Sequence, residues 1–122
     1  MIKKEIAILL PYKENYSESY AGAASIWVKD YLSLSKLKSI TNVYGNLKRN
    51  LRPLTSNFIN IDISGKIISK NIKYTEILHR DCLKKKYSII EIHNRPESLL
   101  FLIKKKINSK LTFIFHNNPK EM

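Results

Sequence analysis

The chain has 122 residues, 43% of them hydrophobic and 26% charged, with a formal net charge of +12. That length fits one domain whose core needs no staples, and the apolar content excludes a disordered chain. The longest apolar runs, Ile6–Leu10 and Leu99–Ile103, are too short to form a bilayer-crossing helix.

The opening stretch, MIKKEIAILLPYKEN, sets a basic pair before an apolar run, as a signal peptide would. The run is too short for one, and no small-residue cleavage site follows it. Ile6–Leu10, ended by Pro11, reads instead as a strand buried on both faces. A polar loop, YKENYSESY, leads to a helical pattern from Ala21 with Ala24, Trp27, Val28, Tyr31 and Leu32 on one stripe. SITNVYG is a second strand closed by Gly45, NLKRNLRPLTS a loop, and FINIDISG a third strand that alternates apolar and polar residues up to Gly65. Ser69–Lys86 carries Ile72, Ile77, Leu78 and Cys82 at helical spacing. YSIIEIH is a strand, Pro96–Ile107 a leucine-rich helix and LTFIFH a last strand. No internal repeat or low-complexity tract interrupts the pattern.

Strands alternating with helices in this way predict an α/β fold: a Rossmann-like, doubly wound, mostly parallel sheet with helices on both faces, in one domain over residues 1–122. Right-handed crossovers place the first strand beside YSIIEIH at the centre, and Ile6–Leu10, Ser88–Ile92 and Leu111–Phe115 are expected as parallel neighbours buried on both faces. Ligands of such sheets bind outside the carboxyl ends of the strands. Pro11–Tyr20, His93–Arg95 and His116–Asn118 would line that crevice.

The single cysteine, Cys82, excludes an internal disulfide, offers no metal-ligand spacing, and fits a buried inert thiol in a reducing cytoplasm. The charge has two readings. It suits an anionic partner such as nucleic acid, an acidic membrane surface or a phosphorylated ligand. Lysine, however, far outnumbers arginine, the residue of bidentate base contacts, and Lys, Ile and Asn share A/T-rich codons. The runs LKKKY and IKKKI also stand at helix ends, where cations complement the helix dipole. Compositional drift and helix-end electrostatics therefore outweigh nucleic-acid binding, and a membrane-surface role stays open.

Two corners repeat one pattern: IIEIHNRPES and FIFHNNPKEM each run from a strand through His-Asn to a proline and an acid. Proline suits the first position of a helix, so Asn118, Pro119 and Glu121 read as cap, first turn and a near capping box. Arg95 is held extended by Pro96, and Glu97 favours the positive helix end. Capping leaves His93 and His116 unexplained. Either alone reads equally as a structural histidine bonding a carbonyl. Two at equivalent strand ends point to a site, and both are expected with Gly22 on one rim. SYAGAAS adds small residues at a helix start, where N–H groups approach a phosphate or simply allow close packing. It lacks the full glycine fingerprint, and neither a Walker A pattern, a zinc cluster nor a nucleophile elbow occurs.

ILLPYKENYSESYAGAASIWVKDYL, YSIIEIHNRPESLLFLIKKK and LTFIFHNNPKEM together resemble the amino-terminal domain of family 4 glycosyltransferases, which have two facing Rossmann-like domains and serve cell-surface polysaccharide and lipopolysaccharide synthesis. The likeness covers most of the chain and is vaguest over Tyr44–Lys70. It implies a retaining hexosyl transfer from a nucleotide-sugar to a glycan or lipid-linked acceptor, with no cofactor beyond that donor substrate and no bound metal. It also implies residue roles: His116 beside the reacting sugar, Gly22 and Ala23 at the donor diphosphate, and His93, Asn94, Arg95 and Asn117 on the acceptor side. Two departures stand out: paired glycines are replaced by Ala21-Gly22-Ala23, and an aspartate common in the family is Asn118 here. A donor-binding second domain is expected after the hinge, so the chain reads as a fragment or truncated product, inactive alone, in the cytoplasm or at the inner face of the plasma membrane. Two other readings compete. One is a non-catalytic basic α/β module that binds anionic lipid or nucleic acid. The other, a nucleotide-binding oxidoreductase domain, is disfavoured because NVYGN offers no acid at the end of the second strand.

Overall fold

The computed structural model describes residues 3–19, 21–48, 50–63 and 69–116. Strand β1 (Ile6–Leu9) is apolar and buried at every position, so it needs cover on both faces. Helix α1 (Ala23–Leu34) follows, and a single 3-10 turn, Lys38–Ile40, leads into β2 (Thr41–Gly45). Then come β3 (Phe58–Asn60), α2 (Lys70–Lys85), β4 (Ile89–His93), α3 (Pro96–Lys104) and β5 (Lys110–Ile114).

The five strands form one sheet in the order β3-β2-β1-β4-β5, and every neighbouring pair is parallel. This is the Rossmann-like α/β architecture expected, with β1 beside β4 at the centre. Successive side chains of a strand point to opposite faces, and the core divides accordingly. Ile6, Ile8 and Val43 pack with Ala24, Val28 and Leu32 of α1. Ala7, Leu9, Tyr44, Ile90 and Ile92 pack on the other face with Tyr74, Leu78 and Cys82 of α2 and Leu102 of α3. Burial pushes the Cys82 thiol up to about 12, which leaves it protonated.

Tyr74, fully buried, fastens α2 to the site-bearing edge: its hydroxyl donates to Leu10 O at 2.8 Å and lies 3.3 Å from Tyr44 O. Across the sheet Tyr16 pins the loop after β1. Its ring stacks on Phe58, its hydroxyl pairs with Thr55 Oγ1 at 2.8 Å, and its carbonyl accepts Leu54 N–H at 3.0 Å.

Four expectations change. β5 is not buried on both faces: Leu111–Ile114 are half-buried, because β5 pairs with β4 alone among the described strands. The third strand stops at Asn60, residues 61–63 are irregular, and Gly65 lies outside the described residues. The third helix ends at Lys104, where Lys106 takes a left-handed φ of 53°. The stripe of α1 is narrower than its spacing implies: Ala24, Val28 and Leu32 are buried, but Trp27 is 38% exposed and turned towards the sheet's rim.

The amino-terminal edge of the sheet is lysine-rich. Lys4, Lys36 and Lys38 line one hollow there, and Lys86, Lys105 and Lys106 another. Leu83 and Ile103, at the ends of α2 and α3, are exposed beside these lysines.

Candidate functional site

At the carboxyl end of β1 the chain turns sharply. Pro11 O accepts Glu14 N–H at 3.0 Å, and Lys13 sits at φ 68°, the left-handed conformation that the third position of a type II turn demands. The turn delivers the Glu14 carboxylate to the start of α1. There Oε2 accepts the Ser25 N–H at 3.1 Å and the Ser25 hydroxyl at 2.6 Å. Gly22, the N-cap residue, has no side chain to do this. A Cβ at Gly22 would stand 2.8 Å from the Glu14 carboxyl carbon, so a side chain there would push the Glu14 carboxylate off its present place. A negative group at a helix start is favoured by the dipole and the free N–H groups. The place where an anionic ligand was expected, beside Gly22 and the exposed Ala23, therefore holds the chain's own carboxylate.

The corner after β4 builds the second half. Glu91 and His93 are two residues apart on one strand and share the α1 face. His93 is fully buried. Its Nε2 lies 2.7 Å from Glu91 Oε1 and its Nδ1 lies 2.6 Å from His116 Nε2. The two imidazole planes differ by 9° with centroids 4.9 Å apart. With the nitrogens so close, that separation means rings meeting edge to edge in nearly one plane, not face to face. Trp27 closes one side, its ring 5.4 Å from that of His93 and 5.7 Å from that of His116.

Asn94 locks the corners together. It takes a left-handed φ of 61°, its N–H donates to Ile114 O at 2.9 Å, and its Oδ1 accepts the His116 N–H at 2.6 Å. Arg95 is extended at φ −120° as N-cap of α3, with Pro96 in the first turn and Glu97 behind it, so the capping logic of this corner holds. Burial and the neighbouring His93 depress the His116 pKa below that of an ordinary imidazole, against a weaker upward pull from Glu14 and Glu91. At neutral pH His116 is uncharged.

Gly22, Ala23, His93, Asn94, Arg95 and His116 thus all lie at the carboxyl edge, and His93 touches His116 directly. Their expected roles fare differently in geometric terms. His93 has both nitrogens engaged by Glu91 and His116 and no exposure. The Asn94 carbonyl is committed to the His116 backbone. Asn117, and with it Asn118, Pro119 and Glu121 of the second corner, lie outside the described residues. Three participants escaped the sequence reading: Glu14, Glu91 and Ser25. Only Glu91 left a local trace, its two-residue spacing from His93 on a strand. A cleft of about 630 Å³ opens between the loops after β1 and β2, lined by Lys13, Glu14, Asn15, Asn46 and Lys48 among others. Glu14 belongs to this cleft as well as to the start of α1.

Among the described residues no group of three or more His, Cys, Asp or Glu side chains is arranged to hold a metal ion, and no helix is long and apolar enough to cross a membrane. Compared with family models, with curated proteins and with solved structures, the chain matches none.

Proposed function

We propose that the chain is the acceptor-side domain of a retaining glycosyltransferase, which moves a sugar from a nucleotide-sugar to a glycan or lipid-linked acceptor in cell-surface polysaccharide synthesis. One observation carries the reading: the strand-ending histidines His93 and His116 meet at the carboxyl edge of a parallel sheet, with the loop after β1 and the start of α1 beside them. In this reading His116, uncharged and half-buried at the rim, contacts the transferring sugar. The donor diphosphate approaches Gly22 and Ala23, and for that Glu14 must swing away from Ser25.

That requirement supplies the test. Amide spectra of the chain would be followed while UDP-glucose or GDP-mannose is added, in wild type and in Glu14→Gln. Binding is expected to move the signals of Gly22–Ser25 and His116. Glu14→Gln, which removes a like charge from the phosphate's place, should tighten binding about tenfold, the effect of some 1.4 kcal/mol. No response from either donor, or weaker binding in Glu14→Gln, would count against the reading.

A second reading draws on the lysine-rich edge, where exposed Leu83 and Ile103 accompany the charge. Here the chain is a basic module that docks on anionic lipid. Vesicles containing phosphatidylserine should then retain it in low salt and release it steeply as salt is added, whereas neutral vesicles should not retain it. Equal retention by both kinds of vesicle would dismiss this reading.

A further inference from the structure

The hydrogen bonds between Glu91, His93 and His116 have a direction. A carboxylate only accepts, so the nitrogen facing it, His93 Nε2, carries a proton. When the His93 ring carries only that one proton, its Nδ1 is bare, and the lone pair points along the 2.6 Å line to His116 Nε2. Two bare nitrogens cannot meet at that distance, so His116 Nε2 donates. The remaining nitrogen of His116, Nδ1, is left bare. From a singly protonated His93 each choice follows from the one before it.

We infer that Glu91 and His93 are a positioning pair that holds His116 in the tautomer with a bare Nδ1, so that the rim presents a hydrogen-bond acceptor to a ligand hydroxyl. Three contacts keep the chain of bonds in place. Trp27 packs on both rings, Asn94 Oδ1 fixes the backbone of His116, and the parallel register sets His93 beside Ile114. The second nearby acceptor is Glu14, whose carboxylate takes up the Ser25 donors at the start of α1. With the Ser25 donors taken by Glu14 and His116 neutral, the His116 ring presents a lone pair beside a carboxylate. That pair of groups matches neutral polyhydroxy compounds, whose O–H groups donate, better than phosphates, which only accept. The tautomer stands without the glycosyl-transfer proposal, whereas the hydroxyl ligand rests on it.

Imidazole nitrogen NMR of the whole chain tests the two parts separately. At neutral pH the His116 signals should show a bare-type Nδ1 and a protonated-type Nε2 in one dominant tautomer. In Glu91→Gln the amide can turn its N–H towards His93, which would reverse both rings. A mixture of tautomers is therefore expected at His93 and His116 together, with the amide spectrum otherwise unchanged. A merely structural glutamate would leave the His116 tautomer where it was. Adding methyl glucoside should shift the bare Nδ1 signal, and inorganic phosphate should not. If wild-type His116 carries its proton on Nδ1, or if Glu91→Gln leaves its tautomer untouched in a folded chain, the positioning pair is wrong. A correct tautomer with no response to methyl glucoside keeps the pair and removes the hydroxyl ligand. A response to phosphate instead reverses the assignment of ligand class. Wild type alone decides the first point, even should Glu91→Gln fail to fold.

Discussion

Ile90→Ala is expected to lower the unfolding free energy by about 2–5 kcal/mol, the range for removing a large aliphatic side chain from a core. Ile90 lies in β4 between β1 and β5 and has no solvent exposure. Its side chain belongs to the face covered by α2 and α3, in one cluster with Leu9, Leu78 and Leu102. Strand hydrogen bonds hold its backbone on both sides, so the neighbouring strands cannot close into the space left behind. Against a total stability of about 5–15 kcal/mol for a domain this is a large fraction. Urea titration followed by tryptophan fluorescence should show a lower midpoint with the slope unchanged. A loss under 1 kcal/mol would mean that the site relaxes freely, contrary to a β4 held from both sides.

His93→Ala should be the most damaging change at the rim, costing about 1–3 kcal/mol through the partners it abandons. His93 is buried, and its removal strips Glu91 Oε1 and His116 Nε2 of their bonds at once. Trp27 loses a ring it packs against. His116→Ala should cost less, because His116 is half-buried and its removal leaves His93 still bonded to Glu91. The double variant should then cost less than the sum of the singles, with a coupling of about 0.5–3 kcal/mol, as for residues in one network. Additive costs in the urea midpoints would show that the two rings stand independently.

Much of this architecture is legible in the sequence because local patterns decide it. IAIL and IIEIH are too apolar for a strand with a wet face, and their place between helices dictates parallel pairing. The first corner is equally local: Pro96 excludes a helical Arg95 and starts α3. What escapes is set by distant partners. LTFIF is as apolar as a central strand, but whether a second strand flanks it is not written in those five residues. Trp27 has the spacing of a core residue, and only the fold reveals that its face points at the histidines. Glu14 reaches Ser25 across a turn whose left-handed Lys13 no composition rule anticipates. The HNRP and HNNP echo marks the right place, but the meeting of the two histidines depends on the register of β4 against β5.

Lys4, Lys36, Lys38, Lys86, Lys105 and Lys106 stand at the amino-terminal edge, opposite the histidine rim. Were those lysines to rest on an anionic surface, as the second reading has it, they would set an orientation. The strands would then stand upright, and the rim would be carried about one strand length, roughly 17 Å for five residues, above the lysines. A chain held this way would meet molecules arriving from solution or carried on a long stalk, and headgroups lying flat in the surface would stay out of its reach.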